Sequence, residues 1–278
     1  MNHKYWHLFI IMTTLLGGCS LKHSNYAVYH KSEDMHLTEA HIEVLSSDDF
    51  KPLFHGKVSG SNTLDTAPVM YSGAAGIIGF VAQIAAHSAA VGGARSSKLT
   101  EEQKAANEVL NNYSGLNDFS VRSLLNDHNR FVPVDSPESG VRDHYIKVSP
   151  LFYISQDRIL IELHAVVEAY HKSQQDDALY SNVIKIYAKR DMLEDAEISL
   201  LAPALYNAAI SYAVKDMESS LSEVDLRNKS YDLSGGFERG KKLSSSCDHQ
   251  VIRNLRGWIV ADFPLELVSD CQVLPSQP

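Results

Sequence analysis

The stretch RILIELHAVVEAYH, residues 158–171, narrows the possible folds more than any other part of this chain. Ile159, Ile161, Leu163, Ala165, Val167 and Ala169 fill successive odd positions, whereas Glu162, His164, Glu168 and Tyr170 fill even ones. A period of two sends side chains to alternate faces of a strand, and it cannot line one side of a helix. The segment therefore reads as a strand with one buried and one wetter face. Its backbone groups need neighbouring strands. HYIKVSPLFYIS (144–155) precedes it through Gln156-Asp157, and NVIKIYAKR (182–190) follows the polar loop KSQQDDAL. Short links between consecutive strands predict an antiparallel meander.

Helical signals surround this block. Thr100-Glu101-Glu102-Gln103 fits a capping box, with Ala105, Val109, Leu110 and Tyr113 following on one side and Ser114-Gly115 as a stop. Asp118 can cap a second short helix that carries Val121, Leu124 and Leu125. From Ile198 to Val224 the apolar residues Ile198, Leu201, Leu205, Ala208, Ala209 and Tyr212 recur at helical spacing, so Pro203 must kink this helix or lie in its first turn. Ile42 and Val44 alternate with His41 and Glu43 as a short strand, and VPVDSPESG (132–140) reads as a turn-rich connection. SYDLSGGFERGKK (230–242) reads as a strand end with a glycine turn, and HQVIRNLRGWIVADFP (249–264) as a strand with a tight Arg256-Gly257 turn. The expected class is α+β, an antiparallel β-sheet with packing helices and an Ala/Gly-rich apolar helical segment.

The amino terminus has a different character. A weakly basic start (His3, Lys4, His7) leads into LFIIMTTLL, which is too short to cross roughly 30 Å of hydrocarbon as a helix and reads as a signal-peptide core. The tetrad Leu16-Gly17-Gly18-Cys19 resembles the lipobox of bacterial lipoproteins, with an aliphatic residue three before the cysteine and two small residues between. The resemblance implies cleavage after Gly18, a diacylglyceryl group on the Cys19 thiol and acylation of the new amino terminus. More than one buried acyl chain makes anchoring stable. Ser20 follows the cysteine, whereas aspartate there resembles the inner-membrane retention signal of Gram-negative lipoproteins; the implied address is the outer membrane, facing the periplasm. The expected organisation is a signal peptide at 1–18, a lipidated tether at 19–38 and an α+β domain at 39–278.

Cys247 and Cys271 remain once Cys19 is assigned to lipid. In an oxidising periplasm they form a candidate disulfide, and closing a loop of about 24 residues contributes roughly 3 kcal/mol in the chain-entropy model. Thr66 to Ala94 contains no Asp, Glu, Lys or Arg. Within it, YSGAAGIIGFVAQIAAHSAAVGGA (71–94) carries Gly73, Gly76 and Gly79 at every third position and resembles the glycine-zipper segments of bacterial envelope proteins. Three readings stay open: a buried helix or hairpin packed on the domain, a membrane-inserted or surface-lying helix, and self-association through the glycine face.

Charge and motif content demote other functions. Of 25 basic residues against 34 acidic ones, Lys4 leaves with the leader, so the mature chain carries a net charge of −10, which disfavours nucleic acid and anionic headgroups as partners. The chain has no G-x-S-x-G elbow, P-loop, dinucleotide fingerprint or zinc spacing. Glu162, His164 and Glu168 share a strand face while His171 points away, so this set reads as a solvated face and no metal or cofactor is expected. Asp191, Glu194, Asp195 and Glu197 lack the glycine and ligand spacing of a calcium loop and read as a helix start. The leading expectation is a non-enzymatic envelope lipoprotein that binds or scaffolds an envelope assembly, with the lipid bilayer and an envelope protein, or a second copy, as partners. A pore-like component using 71–94 and a periplasmic hydrolase are the alternatives.

Overall fold

A computed structural model describes residues 29–33, 35, 41–46, 50–57, 101–125, 130–175, 177–225, 227–243 and 250–263. The long strands β5 (His144–Ser155), β6 (Leu160–His171) and β7 (Tyr180–Lys189) pair antiparallel, with Val148 opposite Val167 and Ala165 opposite Ile184. Short strands extend this meander: β1 (His30–Lys31), β2 (Ile42–Leu45), β3 (Leu53–Lys57), β4 (Phe131–Val134), β8 (Lys229–Leu233), β9 (Gly236–Lys242), β10 (Val251–Asn254) and β11 (Ile259–Asp262). The main order is β4-β2-β5-β6-β7-β11-β10-β9-β8, with β3 also on β5 and β1 also on β7.

The expectation of an antiparallel sheet in a balanced α+β fold is corrected here: an eleven-stranded mixed sheet dominates the described residues. β2 runs parallel to both β4 and β5, β3 runs parallel to β5, and β11 runs parallel to β7. Parallel partners need long crossovers. β11 has one, because α3 (Asp195–Met217) and β8–β10 intervene between it and β7. The twelve-residue β5 also offers an edge long enough for β2 and β3 in succession. Part of the stretch taken as a connection at 132–140 is strand β4, at the sheet edge, where Pro133 costs no ladder bond toward solvent.

Helices are few among the described residues. α1 (101–107) continues as a 3₁₀ turn over Glu108–Asn112. Thr100 of the expected capping box lies outside the described residues; the Gln103 amide donates to the Gly56 carbonyl (2.9 Å) and to Asn107 Oδ1 (2.8 Å), which fastens the helix to β3. The helix lies so close that a Cβ on Gly56 would stand 1.8 Å from the Ala106 carbonyl oxygen. α2 (Val121–Leu124) is capped by Ser120 with Ser123, not by Asp118, because Asp118 belongs to a preceding 3₁₀ turn.

α3 supplies the main core. Its Ile198, Leu201, Leu205, Ala209, Ile210 and Ala213 meet Ile161, Leu163, Ala165 and Val167 of β6, together with Ile184 and Ile186 of β7. Pro203 lies inside this helix, beyond the first turn, and Asn207 below it donates to the Pro203 and Leu124 carbonyls, both at 2.7 Å. The helix ends at Met217 rather than near Val224. Ser219 turns to φ 57°, its neighbour Ser220 donates to the Lys215 carbonyl (2.8 Å), and Val224 joins the Lys242 backbone instead.

Where α3 ends, Asp216 is buried at 4 % exposure and gathers donors from four residues on three strands, β1, β7 and β10. Arg253 (2.6 Å), Tyr180 (3.0 Å) and Asn182 (3.3 Å) reach its carboxylate, while Lys31 reaches its carbonyl (2.9 Å) and the Ser219 hydroxyl (2.6 Å). A second Arg253 nitrogen lies 3.5 Å away. Burial and the adjacent Asp216 push the Tyr180 hydroxyl far above its ordinary range, so it stays a donor. Within the stretch expected to be a tether, His30 and Lys31 form strand β1 on β7.

Removing one member of a buried ion pair strands the other. Asp216→Ala should cost about 3 kcal/mol or more in urea unfolding. Asp135→Ala, which breaks the exposed pair with Arg122, should stay within about 1 kcal/mol.

Candidate functional site

The even-numbered face of β6, expected to be solvated, is largely enclosed. Leu160, Tyr187, Leu233, Ile252 and Val260 form one apolar cluster there, and Val166, Val183 and Trp258 form another. The β8–β9 turn closes over Tyr187, whose ring occupies the space that a side chain on Gly235 would need. Ser234 donates its backbone N–H to Asp262 at 2.9 Å and holds that turn down. Glu162 keeps only 4 % exposure, so its charge has to be met from within the protein.

Strand register decides what meets it. Glu162 stands between Tyr153 of β5 and Tyr187 of β7, and His164 stands between Leu151 and Lys185. Lys57, at the end of β3, reaches Glu162 Oε2 at 2.7 Å, and the other carboxylate oxygen accepts from His164 Nε2. Lys185 lies 5.2 Å from the Trp258 ring centre and 3.9 Å from the Glu238 carboxylate. Lys57 lies 5.6 Å from the Tyr187 ring centre. The His164 ring rests beside Tyr153 at 5.0 Å, and His55 follows on the far side of Tyr153 at 6.0 Å.

Burial alone would raise the Glu162 carboxyl, but His164, Lys57 and Lys185 outweigh it and hold the group well below the carboxylate range. Burial lowers the His164 imidazole; Glu162 pulls it back up, Lys185 and Lys57 oppose its protonation, and the net direction is down, so at neutral pH it is neutral and donates Nε2–H to Glu162. His55 is lowered by burial too. The result is a charge-balanced cluster of two ammonium groups, two carboxylates and a neutral imidazole. His164 with Glu162 has the form of a base and its orienting carboxylate. Among the described residues no hydroxyl or thiol bonds that imidazole, and no group of three His, Cys, Asp or Glu is arranged to hold a metal ion.

A second buried carboxylate, Glu43 of β2, accepts the Val141 and Arg142 backbone N–H groups at 2.5 and 2.9 Å and meets Lys172 at 3.1 Å. Burial would raise it, yet these donors keep it lowered and ionised. It lines a shallow depression of about 200 Å³ with His41, Val132, Val141 and Arg142. The backbone donors come from the connection between β4 and β5, so Glu43 closes the segment after β4 onto β2.

Cys19, Cys247, Cys271, Gly73, Gly76, Gly79 and the run 66–94 lie outside the described residues. Glu162 and His164 come together as their spacing implied, but buried and paired rather than solvated. Glu168 lies further along the same face, and His171 stacks edge-on against His144 at 5.0 Å. Asp195 opens α3 and accepts from the Ser114 hydroxyl at 2.9 Å. Lys57, Lys185 and Glu238 were not singled out by sequence. Alternation put Lys185 on the polar face of NVIKIYAKR, but nothing local joined it to Lys57, which is distant in sequence.

Comparison with protein-family models, with curated proteins and with solved structures found no match to this chain.

A histidine that stays neutral in the fold but takes a proton when unfolded makes stability fall with pH. The loss begins near the ordinary imidazole value of 6.5 and continues down to the lowered folded value. His164→Gln should flatten the decline in unfolding free energy between pH 7 and 5, leaving the part due to His55. An unchanged slope in urea titrations would refute the buried-neutral assignment.

Proposed function

We propose that this chain is an envelope lipoprotein, held in the outer membrane through acylated Cys19 and facing the periplasm, whose sheet domain binds or scaffolds other envelope components without catalysis. The lipobox-like Leu16-Gly17-Gly18-Cys19 supports the anchor. One structural observation carries the reading further. The chain meets the fold at Tyr29, only ten residues after Cys19, where the Tyr29 ring packs on Arg253, and His30 and Lys31 then join the sheet through the pairing of β1 with β7 and the bonds of Lys31 around Asp216. Ten residues reach about 35 Å at full extension. The folded domain therefore works beside the bilayer, within reach of partners in the same membrane.

Native protein should sediment with outer membrane, and its intact mass should correspond to a chain that begins at an acylated Cys19. Cys19→Ala should move to the soluble fraction. A native product that still starts at Met1 and carries a bare thiol would overturn the anchor. For the binding role, mild crosslinking should capture envelope proteins or a second copy; a solitary monomer at native abundance would overturn it.

A further inference from the structure

The chain enters the described fold past one particular turn. The Tyr29 ring packs against the Arg253 guanidinium at 5.0 Å, and its Cβ lies 2.8 Å from where a Cβ on Gly257 would stand. Gly257, at φ 83°, belongs to the turn between β10 and β11. Any route from Tyr29 back to Cys19 therefore starts beside that turn.

The turn carries an apolar and cationic tip. Leu255 is 62 % exposed, Arg256 next to it is exposed, and the Leu255 N–H donates to the Arg239 carbonyl of β9 at 3.2 Å. Two residues earlier on the same face of β9, Phe237 is 70 % exposed, and Arg239 is exposed as well. Exposed apolar residues scattered singly mean little. Here two of them alternate with two arginines, beside the point where the lipid tether leaves, in a chain whose net charge is negative. Asp232 stands opposite Phe237 on β8 and weakens the local positive potential. Contact then depends on the anchor holding the tip near the surface, not on capture from solution.

We propose that the Phe237, Arg239, Leu255 and Arg256 tip rests on the phospholipid surface to which Cys19 is attached. Phe237 and Leu255 enter the boundary between headgroups and acyl chains, about 5–10 Å deep, while the arginines meet lipid phosphates. The domain is thereby oriented on the bilayer, with β1 and the β10–β11 turn toward the lipid. This inference rests on the anchoring proposed above.

The test uses the mature lipidated chain in phosphatidylethanolamine and phosphatidylglycerol vesicles. Trp6 leaves with the leader, so Trp258 is the native background to subtract. Leu255→Trp should fluoresce to the blue and be quenched by bromine-labelled acyl chains about twofold more than Leu200→Trp, a site on α3 with 56 % exposure. Adding Arg239→Glu and Arg256→Glu should abolish that difference while the protein still floats with the vesicles. In the unsubstituted chain, amide exchange at 255–257 should slow on vesicles relative to the soluble Cys19→Ala form. Flotation with equal quenching at the two sites and unchanged exchange overturns the contact alone. Failure of the lipidated chain to float overturns the anchor and the contact together.

Discussion

Enclosure of β6 on both faces is the constraint that organises this protein. Its odd positions from Ile161 to Ala169 are all apolar and are buried in the core that α3 supplies. Its even positions include Glu162 and His164, covered by a sheet that closes over them through the β8–β9 turn. A carboxylate out of water without a partner costs several kcal/mol. Closure of that face is therefore compatible only with arrangements that bring Lys57 and Lys185 alongside. The requirement reaches into topology, because Lys57 arrives only if β3 lies parallel on β5 with Lys57 at the level of Ser155. The ionic cluster and the strand register specify each other.

Asp216 plays the same part at the other face. A charged side chain at the end of α3 is held by groups from β1, β7 and β10, so the helix end, the entry strand and a late hairpin are fixed with respect to one another. That junction also places the amino-terminal entry beside the β10–β11 turn.

The long elements were legible because each carries its own periodicity. The alternation in 158–171 matches β6, the segment 144–155 joined to it by a short link matches β5, and helical spacing from Ile198 found α3. Local competition defeated finer readings: Ser120 rather than Asp118 caps α2, and Ser219 stops α3 before Val224. The mixed character of the sheet was hidden for another reason. β2, β3 and β4 have four, five and four residues, too few to reveal a partner, and their direction depends on how the intervening chain crosses over.

Sequence by itself determined the period-two strand at 158–171, the helical spacing from Ile198 and the lipobox-like tetrad, since each is written in residues close together along the chain. Tertiary structure alone decided that the polar face of β6 is dry, that its charges are balanced by lysines from β3 and β7, and that the β10–β11 turn lies beside Tyr29. The charge balance depends on Coulomb and desolvation energies between groups such as Lys57 and Glu162, 105 residues apart in sequence, and their closeness in space exists only after the strands have paired.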